Sequence, residues 1–366
     1  MTAGADISCE VVSDIRLLEE EWKGMDSAAS ALLKSGVGKP MDYSFYQTYV
    51  WNAFVDSYYR AKSALWHRLK RVEYVTVRRG GEIQIILPLL VTLFPARKVE
   101  FVSWKTSGIN NASSLLNLGA GGAEDECFRR LAEFFMSRYG DMKLKLNDMP
   151  VDAPFVKALA SVPGMSLKER DSFHIPLGNF KDFDEYYASL SKKLRHNIQT
   201  RSNHFTHGDL SWTLRVFDRN NPPSHDYWLG IWRVFYRRKL QWNGKSAGLF
   251  RRLACDWEAR KEAGSGMKTA SFDRLDESRL FVFEINGEPA AFAFLYKYGD
   301  YIVVPKLAID FRFRTHAPGI LMLREIMRWC FVNGVRDFDL CRGDEPYKQQ
   351  MGAECAPICV LRYRQK

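Results

Sequence analysis

The stretch Asp337-Phe-Asp-Leu-Cys-Arg-Gly-Asp-Glu-Pro-Tyr-Lys crowds Arg342, Asp344, Glu345, Tyr347 and Lys348 onto one loop behind an apolar strand pattern. Proton transfer needs a carboxylate to accept and a phenol or ammonium to donate, and this loop holds both. The same carboxylates would serve equally well in the first turn of a short helix. Arg342 and Lys348 add cations that can hold an anionic substrate. Upstream, Ala308 to Arg324 reads as strand, short basic loop, Pro318-Gly319 and helix. That order suits a phosphate. First-turn N–H groups and the positive end of the helix dipole favour an anion, Gly319 permits close approach, and Arg312 or Arg314 can pair with it. An ordinary helix start with Pro near its first position is the alternative. Pro305 falls inside a strand pattern, where a missing N–H implies a bulge or splay, or else an edge strand.

Further cations lie on two helical patterns. Phe183–Gln199 carries Lys192, Lys193 and Arg195, which form either a solvated face or a contact for an anionic acceptor. Arg233, Arg237, Arg238 and Lys239 are interleaved with Trp232, Phe235, Tyr236 and Trp242, a spacing that suits stacking on a sugar or base but is read in favour of a packed helix edge. His204, His207 and Asp209 could hold a metal in principle and are read as solvated turn residues, so no metal is expected. The seven cysteines (9, 127, 255, 330, 341, 355 and 359) include no C-x-x-C pair and are expected to be reduced.

These groups need a scaffold, and 366 residues imply two domains. Hydrophobic residues at 46% and aromatics at 14% exclude wholesale disorder. The first half reads as helices near Val12–Leu33 and Phe45–Leu65, then strands Tyr74–Arg78 and Glu82–Leu90 around Gly80-Gly81, strand Val99–Trp104, helix Glu126–Arg138, strand Lys143–Asn147, helix Pro154–Ser161 and strand Leu167–Asp171. The second repeats the scheme. It reads as helix Phe183–Gln199, strand Leu210–Val216, helices Asp226–Lys239 and Leu249–Glu262, and strand Lys268–Arg274. Strands Arg279–Ile285 and Pro289–Tyr296 flank Asn286-Gly287, followed by strand Tyr301–Ala308, helix Gly319–Val332, strand Arg336–Leu340, helix Pro346–Met351 and strand Ile358–Tyr363. The fold class is therefore α/β (α+β), with domains expected at 1–175 and 176–366.

The formal charge is +10, and it divides unevenly. Up to Ile175 there are 22 Lys and Arg against 21 Asp and Glu, and thereafter 31 against 22, so a polyanionic partner is expected on the second half. The longest apolar run, Ile83–Phe94, is interrupted by Gln84 and Pro88 and is too short to span a bilayer. No transmembrane segment is expected. The acidic N-terminus lacks the basic and apolar regions of a signal peptide, and a cytoplasmic location is the expectation.

The loop pair R-x-x-A-P-G (Arg314–Gly319) and F-D-L-C-R-G-D-E-P-Y-K (Phe338–Lys348), with S-L-S-K-K-L-R-H-N upstream (Ser189–Asn197), resembles the bacterial GNAT acyltransferases of the CelD/BcsL type. That group is named for cellulose biosynthesis and is similar to the Fem-type aminoacyltransferases. W-K-G-M-D, F-Y-Q-T-Y-V-W and I-L-P-L-L extend the resemblance loosely over the first half. It implies two tandem GNAT-like domains, each a mixed twisted sheet flanked by helices. It also implies acetyl-CoA or another acyl-CoA, its pantetheine between strands splayed at Pro305, Lys306 and Leu307. The pyrophosphate would lie on Arg312, Arg314, Thr315, His316, Ala317, Pro318 and Gly319, where Ala317 replaces a common Ser. Tyr347 would protonate the leaving thiolate, and Asp344 or Glu345 would deprotonate the acceptor amine, directly or through water. The first domain is expected to be degenerate, because Glu124, Asp125 and Glu126 after its own Gly-rich segment would repel a pyrophosphate.

The resemblance thus implies an acyltransferase, acting on an anionic small molecule or a sugar or amine glycan precursor of envelope or exopolysaccharide biosynthesis, with peripheral association to a polysaccharide synthesis complex. Fem-like transfer from aminoacyl-tRNA is the alternative that the basic half would tolerate, although no long heptad segment marks a helical arm. A non-catalytic regulator of a polysaccharide synthase is the third reading.

Overall fold

The structure is a computed structural model, and it describes residues 6–34, 44–102, 115–116, 124–206, 210–241 and 249–363. Its contacts separate two units. Unit 1 comprises Met1–Ser172, Cys341–Gly343 and Cys355–Lys366, and unit 2 comprises Phe173–Leu340 and Asp344–Glu354.

Unit 1 begins with β1 (Ile7–Val12), antiparallel to β2 (Lys70–Arg79), a strand the helical reading from Val12 onward misses. Three helices intervene, α1 (Glu19–Lys34), α2 (Tyr49–Arg60) and α3 (Ala64–Leu69). The single helix expected over Phe45–Leu65 is interrupted because Ser63 accepts from the Trp66 N–H at 3.3 Å and starts a new one. Gly80 and Gly81, at φ 57° and 90°, turn β2 into β3 (Glu82–Thr92), whose run from Ile85 to Leu90 is buried. β4 (Lys98–Phe101) adds antiparallel to β3, as does the two-residue β5 (Leu115–Leu116). The 102–104 end of the expected third strand leaves the sheet at 102, and 103–104 lie outside the described residues, as does the Gly-rich 117–123. After α4 (Glu124–Tyr139), β6 (Lys143–Pro150) pairs parallel to β4 at Lys98↔Lys143, Val99↔Leu144 and Glu100↔Lys145. α5 (Pro154–Ala160) and β7 (Met165–Ile175) follow.

Unit 2 takes the last residues of β7 and continues into α6 (Phe183–Ser189) and α7 (Lys192–Thr206). The expected helix Phe183–Gln199 is thus two helices. Ser191 accepts from the Leu194 N–H at 3.2 Å and restarts the chain as a cap. Next come β8 (Trp212–Phe217), α8 (His225–Gln241), α9 (Leu249–Ser265) and α10 (Met267–Arg274). The last stands where a strand Lys268–Arg274 is expected. Its buried Met267, Lys268, Ser271 and Phe272 recur at four-residue spacing, a helical rather than an alternating pattern. β9 (Ser278–Ile285) and β10 (Glu288–Tyr298) meet at Asn286-Gly287, both left-handed at φ 50° and 79°. β11 (Tyr301–Ile309), α11 (Pro318–Val332), β12 (Asp337–Arg342), α12 (Pro346–Gln350) and β13 (Glu354–Tyr363) complete the chain.

Within unit 2 the strand order is β12-β11-β10-β9-β8, with β7 beside β12. Ile302, Val304, Phe338 and Leu340 face a core shared with Leu321, Met322 and Ile326 of α11 and Leu194 and Ile198 of α7. On β10, Phe292 and Phe294 meet α8, with Trp232–Phe292 ring centroids 6.0 Å apart and Trp228–Phe294 6.3 Å apart. Phe235 also packs on Phe292, so these rings form a helix–sheet contact. The side chains of 237–239 and residue 242 lie outside the described residues. The units depart from a division at 175/176 in that 341–343 and 355–366 fall in unit 1, where β13 pairs antiparallel with β6. A strand belongs with the partner that satisfies its backbone, whatever its place in the sequence.

Candidate active site

Strands β11 and β12 run parallel but pair over three rungs only, Tyr301↔Asp337, Ile302↔Phe338 and Val303↔Asp339. Past Val303 two features deform β11. Its register against β10 jumps from Val303↔Tyr296 to Lys306↔Phe294, so Val304 and Pro305 together oppose Leu295 as a bulge. Pro305, which has no N–H to give a ladder, stands in the bulge. β11 nonetheless continues to Ile309, leaving Pro305, Lys306 and Leu307 on the stretch beyond the last β12 rung.

The next segment, Phe311–His316, is a 3-10 turn capped by Asp310, which accepts from the Arg312 N–H at 2.9 Å. Ala317 closes it in the left-handed conformation, φ 51° and ψ 46°, and also begins α11. An alanine held there costs of order 1–2 kcal/mol, the kind of local strain that gathers at functional sites. Its carbonyl accepts from Ile320 and Leu321, both at 3.2 Å, and Pro318 has no N–H, so Gly319 supplies the outward amide of this first turn. A side chain on Gly319 would start 2.8 Å from Ile309 Cγ2, so glycine is required for the helix to sit against the end of β11. Arg314 and Thr315 are exposed at the mouth of this turn. Arg312 is already engaged with Glu288 at 3.0 Å and Asp310 at 2.9 Å.

Helix α7 touches this loop. Arg201 donates to the Thr315 carbonyl at 2.7 Å, Phe205 lies 5.9 Å from the His316 ring, and Arg324 of α11 donates to Ser202 at 2.7 Å. The segment before α7 touches the other candidate loop, because Tyr186 donates to the Met351 carbonyl at 2.9 Å and Leu190 borders Gly352. The α6–α7 pair therefore links the phosphate-type loop to the segment bearing Tyr347. Lys192 and Lys193 are exposed on its first turn, and the Arg195 Nε is buried with no hydrogen-bond partner among the described residues. His204 is exposed in the last turn of α7 rather than in a loop, and 207–209 lie outside the described residues.

Tyr347 is half-buried on α12 and packs against the unit 2 core, while Asp344 is exposed. Lys348 and Arg342 are both engaged with carboxylates of the protein. The Lys348 side chain is 2% exposed, with Nζ 3.1 Å from the Glu345 carboxylate and 5.7 Å from the Phe173 ring centre, because its aliphatic stem follows the short helix into the core. Arg342 belongs to unit 1, where it donates to the fully buried Asp148 at 3.1 Å. Asp148 is the left-handed bulge residue of β6, φ 60°, and burial pushes its carboxyl up against the opposing pull of Arg342.

Two buried pairs on β12 escape a reading by loop motifs. Tyr301 donates to Asp339, which has no exposed surface, at 2.6 Å. His174 on β7 bonds through Nδ1 to Asp337 at 2.7 Å. The available signal is the acid at alternate positions, Asp337 and Asp339, of a strand otherwise apolar. A hollow of about 510 Å³ bordered by Asp182, Phe183, Arg328 and Val332 lies at the opposite end of α11 from Pro318 and includes none of these residues. Among the described residues, no three His, Cys, Asp or Glu side chains cluster as a metal set, and no helix is long and apolar enough to cross a membrane.

Residues 192–349 match the family of the acetyltransferase (GNAT) domain. No curated protein matches the chain. Among solved structures, the fold is similar to a tandem GNAT protein from the clavulanic acid biosynthesis pathway, at 12% identity and a TM-score of 0.53 over 98% of each chain. It is also similar to FemX, at 13% identity and a TM-score of 0.50, over 84% of this chain and 94% of that one. At such identity the likeness is one of fold. It covers nearly the whole chain, and the family match falls on the segment that holds the splayed strands, the strained helix start and Tyr347. The match of residues 192–349 to the acetyltransferase (GNAT) domain supports an acyltransferase.

Proposed function

We propose that the protein transfers an acyl group, in the first instance acetyl, from acyl-CoA to an amine or hydroxyl of an anionic sugar or amine precursor. The observation that carries this reading is the end of β11–β12 pairing at Val303↔Asp339, followed at once by the Pro305 bulge and the Gly319 helix start. The stretch of β11 beyond its last β12 rung offers backbone groups to the amides of a pantetheine arm, and a first-turn amide with nearby Arg314 and Arg201 suits its pyrophosphate. When bound, acyl-CoA supplies the activated thioester. Pro305, Lys306 and Leu307 would hold its arm, and the segment from Arg312 to Gly319 its phosphates.

Tyr347 gives its phenolic proton to the departing sulfur, and exposed Asp344 receives the acceptor's proton directly or through water. Glu345, paired to Lys348, steadies the helix that carries Tyr347. Lys192, Lys193 and the unpartnered Arg195 Nε draw in the negative acceptor. Envelope or exopolysaccharide biosynthesis in the cytoplasm, at a synthesis complex of the CelD/BcsL kind, is the setting we propose. The N-terminal half then acts as a scaffold without a cofactor of its own.

A second reading has one observation in its favour. α8 and α9, each 17 residues, form a packed helix pair between β8 and β9, joined by Arg233–Asp256 at 2.7 Å. Such a pair could present a basic face to aminoacyl-tRNA, the Fem-like alternative. Titrating the protein with acetyl-CoA and with charged tRNA in a calorimeter separates the two. Micromolar binding of acetyl-CoA that is lost in Pro305→Asp supports acyl-CoA use, and binding of charged tRNA alone overturns it.

A further inference from the structure

We infer that His174, oriented by Asp337, is a second proton acceptor of the acyl-transfer reaction, taking the proton of the attacking amine or water. The inference rests on the acyl-CoA reading above and adds a base that neither the loop motifs nor the family match supplies. Its Nδ1 lies 2.7 Å from Asp337 Oδ2. A carboxylate there holds the N–H on Nδ1 and leaves the Nε2 lone pair for a proton, which is the arrangement by which an acid orients an imidazole base. Burial separates the partners by role. Asp337 is 4% exposed at its side chain, as a fixed orienter, whereas His174 keeps 14%, enough to meet a small nucleophile.

Position argues the same way. Phe173 and Ile175 belong to the core on the α11 side of the sheet, so alternation puts His174 on the opposite face. Tyr301 and Asp339 bond to each other, and Asp339 lies on the last rung before the splay, two residues past Asp337 on the same face of β12 and therefore about 7 Å along it. Asp337 Oδ1 is buried with no hydrogen-bond partner among the described residues. Leaving such an oxygen unmet costs about 1–3 kcal/mol, so the site is built to receive a donor that arrives with substrate or water.

The charged groups that act on the imidazole are Asp337 and Asp339 of β12 and Glu354 at the start of β13, while Asp300 in the turn before β11 and Glu354 act on Asp337. Desolvation lowers the His174 pKa, but the Asp337 hydrogen bond and the three carboxylates outweigh it and the net direction is upward. The step balances. The nucleophile's nitrogen or oxygen bonds to the thioester carbon, its proton passes to Nε2, the C–S bond breaks, and the sulfur leaves as a thiolate that takes a proton from Tyr347.

Water can serve as the nucleophile, so acetyl-CoA cleavage followed as thiol release needs no identified acceptor; glucosamine and ethanolamine extend the assay. In His174→Gln we expect a rate at least 30-fold lower, an acetyl-CoA Kd within two-fold of wild type, and loss of the rise in rate with pH through the His174 titration. Imidazole added to His174→Gly should restore part of the rate, which a structural histidine would not allow. Asp337→Asn, which keeps the shape of the pair, should move that rise to lower pH. A folded His174→Gln with wild-type rate and pH profile overturns the inference and leaves the acyl-CoA reading intact. A wild type that cleaves acetyl-CoA with none of the three nucleophiles overturns both. If His174→Gln fails to fold, an unshifted profile in Asp337→Asn overturns the role of the pair.

Discussion

Units 1 and 2 run through the same sequence of elements, and they differ at the point where chemistry is placed. Each has a glycine-turned hairpin, a third antiparallel strand, a helix and a strand parallel to the third, and each parallel pair has three rungs. Each also buries a carboxylate on the third rung, Glu100 in unit 1 and Asp339 in unit 2. Glu100 has the ammonium of Lys98 beside it, a charge–charge pair, while Asp339 takes a neutral tyrosine hydroxyl. The helix starts differ more. α11 opens after a strained alanine on Pro318-Gly319 behind Arg312 and Arg314, whereas α4 opens on Glu124, Asp125 and Glu126. Repetition of a scaffold therefore does not repeat the charge at its helix start. A few residues at one helix start reverse the sign of the field an anion would meet.

The largest expected effect probes the buried ion pair inside unit 1. Arg342→Met leaves Asp148 buried without its cation and should destabilise the fold by about 3 kcal/mol, since removing one partner strands a buried charge. Because burial raises the Asp148 pKa, the penalty applies while the carboxylate is ionised and is relieved as pH falls through the folded-state value. Denaturant unfolding at pH 7 and pH 5 should show part of the loss recovered at the lower pH. An unchanged midpoint at pH 7 would remove the ion pair from the comparison.

Tyr347→Phe comes next. It keeps the ring packed against the unit 2 core and removes only the hydroxyl, so kcat should drop by about 10² with the acetyl-CoA Kd unchanged. Normal turnover with a lower Tm would make Tyr347 a packing residue instead.

Gly319→Ala probes the helix start without altering charge. The added carbon meets Ile309 Cγ2 at 2.8 Å, and about 1–3 kcal/mol of stability should be lost along with cofactor affinity. Pairing it with Ile309→Ala removes the clash. Recovery in the double variant assigns the glycine to helix–strand contact, and its absence assigns it to the ligand.

The smallest effect is that of Arg312→Gln. Its pair with exposed Glu288 contributes at most about 1 kcal/mol, and buried Asp310 keeps the backbone N–H of residue 312 in the variant, so Tm should move little. Acetyl-CoA should bind a few-fold more weakly with a shallower salt dependence if Arg312 leaves Glu288 for a phosphate, and an unchanged salt slope would exclude that exchange.

Local pattern determined much of the molecule. Gly80-Gly81 and Asn286-Gly287 required left-handed turns, the alternating and apolar runs made strands on either side of them, and Pro318-Gly319 marked a helix start, because each of these depends on backbone conformations that particular residues permit. Pro305 announced a broken ladder for the same reason. What depends on partners distant in the chain came from the tertiary structure alone. Residues 267–274 became a helix once one face of it was buried, whereas Ser191 and Ser63 restarted helices through caps only three residues away, a local signal that the running periodicity masked. β13 joined unit 1 because β6 offered it a free edge. Arg342 and Lys348, two cations that sequence placed in reach of substrate, were drawn to Asp148 and Glu345. Asp337 gained an imidazole from a strand 163 residues away, since residue type and spacing specify what a side chain can do and only packing chooses the group it meets.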